Sequence, residues 1–139
     1  MIVKNHLYGK LNWMKEQQQF VSYIRKGGQV KFTSHFWDSM SDRSVSIGDV
    51  YGIFKNGTAE IIQGHAIGTY SVDGGKLNED ELRVFYGKAK NGTIIHVVVA
   101  IENLNKKKFK FVTVYIPSPV YFESDMKTLK KKWQFRIIK

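Results

Sequence analysis

The pattern of apolar and polar positions is clearest between residues 94 and 117. Residues 94–101 read Ile-Ile-His-Val-Val-Val-Ala-Ile, with His96 the one polar side chain in the run. A lysine-rich connection over 102–108 follows, then residues 109–116 return as Phe-Lys-Phe-Val-Thr-Val-Tyr-Ile before Pro117. Two β-prone runs joined by a short hydrophilic connection predict an antiparallel hairpin. The first strand, apolar almost throughout, is expected to be central and covered on both faces. Strict alternation in the second places Phe109, Phe111, Thr113 and Tyr115 on one face and Lys110, Val112, Val114 and Ile116 on the other.

The N-terminal half has helical period instead. Leu7, Leu11, Met14, Val21 and Ile24 predict one face of a helix over 10–26, with Gly27-Gly28 as its stop and Gln17, Gln18 and Gln19 facing water. Val30, Lys31 and Phe32 suit a short strand. Ser34 is placed to cap a second helix with Phe36, Trp37 and Met40 inward. Ser46-Ile47-Gly48-Asp49 has the capping-box pattern and predicts a third helix, Ile47, Val50, Ile53 and Phe54 inward, ending at Asn56-Gly57.

Further strands are expected over 59–63, outside the main sheet, over 69–72, and over 81–89. A glycine-bounded connection falls at 64–68 and a turn at Asp73-Gly74-Gly75. Asn91-Gly92 is a strong hairpin turn into the central strand. After Pro119 a short basic helix or loop is expected, then an edge strand over 133–137. The fold class is therefore α+β: N-terminal helices packed on an antiparallel β-meander, in one domain over 1–139.

Composition narrows the chemistry. The chain has 139 residues and no cysteine, so disulfides, thiolate metal sites and cysteine nucleophiles are excluded. No apolar run approaches a membrane span, and the N-terminal stretch lacks a signal-peptide core, so no membrane partner is expected. Lys and Arg total 22 against 12 Asp and Glu. The excess lies at the two ends: 1–31 holds six basic groups against one carboxylate, and 104–139 holds ten against two. A basic surface attracts polyanions through counterion release, which makes nucleic acid the leading partner class, with an acidic protein as the other user of that field. Lys106, Lys107, Lys108, Lys130, Lys131 and Lys132, with Trp133 and the nearby Tyr121, Phe122 and Phe135, read as an RNA contact surface. Solvated lysine runs are the plainer alternative.

The candidate chemistry centres on the hairpin. With His96 on the face of Thr113 and Tyr115, a histidine, a hydroxyl and a phenol converge; the alternative is a core histidine satisfied by a neighbouring hydroxyl. The carboxylates Glu79, Asp80 and Glu81 either hold a cation or form a solvated loop, the latter being favoured. His6 and His65 fit no pattern.

The segment from Ser34 to Ser46, with its His35, Met40, Asp42-Arg43 and closing serine, resembles the opening of the domain of unknown function 4258 family. Asp49-Val50, Glu60-Ile61-Ile62, the strand over 82–87, His96-Val97-Val98 and the run from Val112 to Pro117 continue the resemblance, which covers roughly 32–118. The family usually has arginine where this chain has Ser39 and glycine where it has Ser44. The resemblance implies a barnase-, EndoU-, colicin E5- or RelE-like ribonuclease fold, with His35, Arg43, His96, Thr113 and Tyr115 as catalytic positions. It implies a toxin cleaving RNA, tRNA among the candidates, by metal-independent acid–base transesterification without a cofactor. The partner expected is an acidic immunity or antitoxin protein, and the place of action the bacterial cytoplasm, reached in some systems from another cell as part of a larger secreted protein.

Those residue types suit the reaction: histidine titrates near neutrality, arginine holds phosphate bidentately, and hydroxyls donate to phosphate oxygens. The arrangement expected is His35 and Arg43 facing His96, Thr113 and Tyr115 across one concave sheet surface. The competing reading is a non-catalytic nucleic-acid-binding or protein-interaction module of the same fold. A DNA nuclease is disfavoured by the lack of a recognisable metal-ligand spacing.

Overall fold

The computed structural model describes residues 6–68 and 78–133, with the backbone alone of 2–3 and 136–137. In chain order the elements are β1 (Ile2–Val3), a 3-10 turn (Lys10–Asn12), α1 (Trp13–Arg25), β2 (Lys31–Phe32), α2 (Ser34–Arg43), α3 (Ile47–Lys55), β3 (Glu60–His65), β4 (Glu81–Lys88), β5 (Ile94–Asn103), β6 (Lys108–Tyr115), a second 3-10 turn (Lys131–Trp133) and β7 (Arg136–Ile137). The class is α+β. The main sheet has five strands in the order β2-β6-β5-β4-β3, all pairs antiparallel except the short parallel edge β2–β6. β1 and β7 pair separately. The strand and turn expected over 69–75 fall outside the described residues, as do Gln134 and Phe135.

Local chemistry accounts for the helix starts. Ser46 and Asp49 close a capping box, each side chain accepting the other's backbone N–H at 3.0 Å. Thr33, not Ser34, caps α2, its Oγ1 accepting from Phe36 N. α1 turns a different face inward from the one expected. Trp13, Glu16, Phe20 and Ile24 are buried, whereas Leu11 and Met14 are exposed, and Gln17 reaches the sheet to accept from Ile61 N at 2.9 Å. An aromatic-led stripe with a buried carboxylate outcompetes the aliphatic one because Phe20 fits the centre of the core. Its ring packs against Phe54, Phe85, Phe109 and Phe111. Trp37, expected inside, is half exposed and lies against Phe32. Ile47 is likewise exposed, while Val50, Ile53 and Phe54 are fully buried.

β3 belongs to the main sheet, against expectation, pairing with β4 from Glu60↔Tyr86 to His65↔Leu82. Gly64 and His65, read as a connection, are therefore strand residues. The glycine is needed there, because the backbone around Tyr8 crosses directly over it and any Cβ would collide with Tyr8 O.

The strict alternation expected along β6 breaks at Val112. Val98 pairs with Thr113 and Val99 with Phe111, so Val112 is an extra residue on β6. This bulge turns Val114 onto the helix-covered face beside Phe109 and Phe111. Thr113 and Tyr115 are thereby sent to the opposite face. α2 holds the bulged edge: Thr33 N donates to Phe111 O, Thr33 Oγ1 to Val112 O, and buried Ser39 Oγ accepts from Val114 N at 3.2 Å.

The helices cover one face of the sheet, where Phe85, Ile95, Val97, Val99, Phe109, Phe111 and Val114 join the main core. On the other face Val84, His96, Val98 and Phe122 are buried outside that core. The segment after Pro117 covers part of this second face, and it is here that the candidate chemistry sits.

Candidate functional site beneath the C-terminal segment

His96 lies on β5 between Tyr86 of β4 and Tyr115 of β6, its Cα partners across the ladder. It is fully buried. Nε2 is 2.6 Å from Met126 O and Nδ1 is 3.2 Å from the Tyr115 hydroxyl. A carbonyl only accepts, so Nε2 carries the proton; in the neutral ring Nδ1 then accepts from the tyrosine. Phe122 stands edge-on to the imidazole at 4.8 Å between centroids. Burial pulls the His96 pKa down to about 4, opposed by the bond to Met126 O, and burial pushes the Tyr115 phenol up. Neutral His96 has neither nitrogen free. The neighbouring hydroxyl expected for this histidine is that of Tyr115.

The segment above it is ordered by its own turns. The Asp125 carboxylate accepts from Lys127 N, Thr128 N and Thr128 Oγ1, which holds its pKa below the ordinary carboxylate value. Phe122 and Leu129 form an antiparallel bridge. Lys127 reaches back to the sheet, its Nζ 2.9 Å from Glu60 Oε2 and 4.6 Å from the Tyr86 ring centroid. The hydrogen bond to Glu60 raises the lysine pKa. Met126, whose carbonyl takes the histidine proton, has φ 56, a left-handed conformation rarely adopted by a side-chain-bearing residue.

The other candidate positions are distributed around this point. Thr113 shares the face of His96 and Tyr115 and is half-buried. His35 and Arg43 are exposed on α2, one turn before and one turn after Ser39, and so flank the edge of β6. The structure joins His96 to Tyr115 directly; His35 and Arg43 have no hydrogen bond to either. Lys131 and Lys132 are exposed, with Lys132 Nζ 5.0 Å from the Trp133 centroid and Trp133 at 4.9 Å from Tyr121, while Lys130 is half-buried. Lys106, Lys107 and Lys108 sit at the β5–β6 turn. At about 3.4 Å per residue along the strand that turn lies roughly 24 Å from His96, so the lysines form two groups instead of one surface.

The acidic cluster resolves into separate ion pairs, Asp80 with Lys110 at 3.5 Å and Glu81 with Arg83 at 3.6 Å. Among the described residues no group of three potential ligands could hold a metal ion, and no helix is long and apolar enough to cross a membrane. Phe122, read from the sequence as part of an RNA contact surface, is instead buried against His96, and the residues that sequence reasoning missed are Glu60, Tyr86, Met126 and Lys127. The Asp125-x-x-Thr128 turn pattern was the available signal that this segment is structured.

Comparison with curated proteins and with solved structures returns no match. A family model does match, and its region opens at β2 and closes at the end of β6, leaving α1 and the covering segment outside. That match, to the domain of unknown function DUF4258, runs over residues 32–116, more than half of the chain, and the protein belongs to this family.

Proposed function

We propose that this protein acts on RNA, binding it through the exposed lysines and aromatic rings of the segment after Pro117. The observation that carries this reading is the Trp133 cluster. Its indole is exposed, braced by Nε1 donating to Val120 O at 3.1 Å, with Tyr121 at its edge and Lys132 over the ring. A ring held in place beside cations is what a single strand needs: bases stack and phosphates displace counterions. Tyr121, Ile116 and Val120 extend the exposed apolar surface around it. The test is fluorescence anisotropy with a single-stranded RNA across a salt series. Affinity should fall steeply with salt, and Lys131→Glu with Lys132→Glu should weaken it; salt-independent binding, or none, sinks the reading.

Cleavage of that RNA, with an acidic immunity or antitoxin partner, is the second reading. It is favoured by His96, Tyr115 and Thr113 sharing one sheet face, with His35 and Arg43 flanking its β6 edge. It is opposed by the covered state of His96, both of whose nitrogens are engaged. Incubation with total RNA in EDTA decides between cleavage and binding alone. Product that His35→Ala and His96→Ala both abolish would establish the enzyme; salt-sensitive binding with no product would leave the binding module.

A further inference from the structure

We infer that residues 118–130 form a releasable cover over the His96 face, and that RNA bound to the lysines of this segment is the agent that releases it. The inference rests on the RNA-binding reading above. The family match ends at residue 116, so the cover lies outside the matched region while the His96 face lies inside it.

The cover is built to move as a unit. Its internal bonds hold it together without the sheet: Asp125 caps its turn, Glu123 N donates to Thr128 O, Met126 N to Glu123 O and Lys130 N to Tyr121 O. Its ties to the sheet include the Phe122 ring on His96, the Met126 carbonyl on His96 Nε2, the Lys127–Glu60 pair and the Lys127 ammonium over the Tyr86 ring. The first two seal the histidine. The third is half exposed on both sides, 36% for Lys127 and 49% for Glu60, and it sits at the rim where a polyanion can reach it.

A ligand shifts an equilibrium only through its differential affinity for the two states. In the covered state Lys127 and Glu60 neutralise each other, so neither charge is offered to an approaching phosphate. In the released state Lys127 is free and joins Lys130, Lys131 and Lys132. RNA therefore gains one phosphate contact only when the cover leaves. Release breaks only the ties to the sheet, the left-handed turn at Met126 being held by the cover's own bonds. It uncovers His96, Tyr115 and Tyr86 together, the side chains that the closed segment hides.

The experiment is solution NMR of the full chain with a mixed-sequence 12-nucleotide single-stranded RNA, binding being followed separately by anisotropy. The readouts are the contact between the His96 and Phe122 ring protons and the titration of His96. That titration is set by Tyr86 from β4, Tyr115 from β6, and Phe122 and Met126 from the cover, with Lys127 paired to Glu60 over the Tyr86 ring. Saturating RNA is expected to remove the ring contact and return His96 to its ordinary titration range. Glu60→Gln, at an exposed edge-strand position, should loosen the contact without RNA and tighten RNA binding by roughly two- to fivefold, the worth of one exposed ion pair. RNA that binds while the ring contact persists overturns the cover and leaves the RNA-binding reading standing. RNA that does not bind overturns both. A Glu60→Gln variant with unchanged contact and unchanged affinity also overturns the coupling.

Discussion

Arg83 and Glu16 form a bidentate ion pair inside the molecule, Nε to Oε1 at 2.7 Å and Nη2 to Oε2 at 2.9 Å. The arginine side chain is 2% exposed and the glutamate 10%. It ties α1 to β4 across the edge of the aromatic core. Removing Glu16 leaves the buried guanidinium with only the longer ion pair to Glu81 among the described residues, and breaking a buried pair typically costs about 3–5 kcal/mol. Glu16→Ala is therefore expected to lower the denaturant midpoint far more than Lys15→Ala on the exposed side of the same helix. The double change Glu16→Leu with Arg83→Met should recover most of the loss, because neither charge then remains buried. Equal effects of the two alanine variants in urea melts would refute this.

The His96 environment makes stability depend on pH with a fixed sign. Its pKa falls from the ordinary 6.5 to about 4 on folding, so between those values the unfolded chain binds more protons than the folded one. Stability from this group is complete above about pH 6.5 and is lost as pH falls towards 4, by about 3 kcal/mol in all. Asp125, whose pKa is lowered, contributes in a separate window, losing its share only as pH drops below the ordinary carboxylate value. Urea melts between pH 7 and pH 4 should show the midpoint falling in the wild type. In His96→Gln the slope over this range should flatten, the Asp125 contribution being lost only at lower pH. An unchanged slope would mean that His96 titrates normally in the folded protein.

Much of the frame was legible because its signals are local. The capping box at Ser46, the Asn91-Gly92 turn and the β5–β6 hairpin each depend on a few adjacent residues, and each is where the pattern put it. What was not legible depends on distant partners. Glu16 reads as a surface residue of α1 until Arg83, 67 positions away, is placed beside it. The bulge at Val112 exists because Thr33 and Ser39 bond to the edge of β6, 79 and 75 positions away, and nothing in the alternation of 109–116 announces it. At the site, the pairing of His96 with Tyr115 followed from strand register. Its enclosure did not, since the Met126 carbonyl arrives from 30 residues downstream.

Ser39 is buried between α2 and β6, and its surroundings explain why a small hydroxyl works there. It is 2% exposed, donates to Phe36 O at 2.8 Å and accepts from Val114 N at 3.2 Å. Ser39→Ala keeps the packing but leaves the Val114 N–H buried without a partner, at about 1–3 kcal/mol. The expected result is a lower melting temperature together with faster hydrogen exchange at Val114 than at its β5-facing neighbours. Ser39→Thr, which keeps the acceptor, should lose less unless its extra methyl is excluded. Wild-type exchange at Val114 in the alanine variant would show that the serine is not its partner.

The two lysine groups make separable predictions for RNA binding. Lys131 and Lys132 adjoin the exposed Trp133 ring, whereas Lys106 and Lys108 sit at the far turn of the hairpin with no aromatic ring contact of their own. A base stacked on an indole contributes about 1–3 kcal/mol whatever its identity, while each phosphate contact changes the salt dependence by about one counterion. Trp133→Ala should therefore weaken binding by a similar factor for every sequence tested and leave the salt slope nearly unchanged. Lys131→Glu with Lys132→Glu should reduce that slope by about two, with a smaller sequence-independent loss at high salt. Lys106→Glu with Lys108→Glu should matter only for RNA long enough to span roughly 24 Å of strand, which a trinucleotide is not. Anisotropy with a trinucleotide and a 12-nucleotide RNA separates these cases. If the hairpin-turn variants abolish trinucleotide binding and the Trp133 variant does not, the contact surface lies at the β5–β6 turn, and the assignment to the C-terminal segment is wrong.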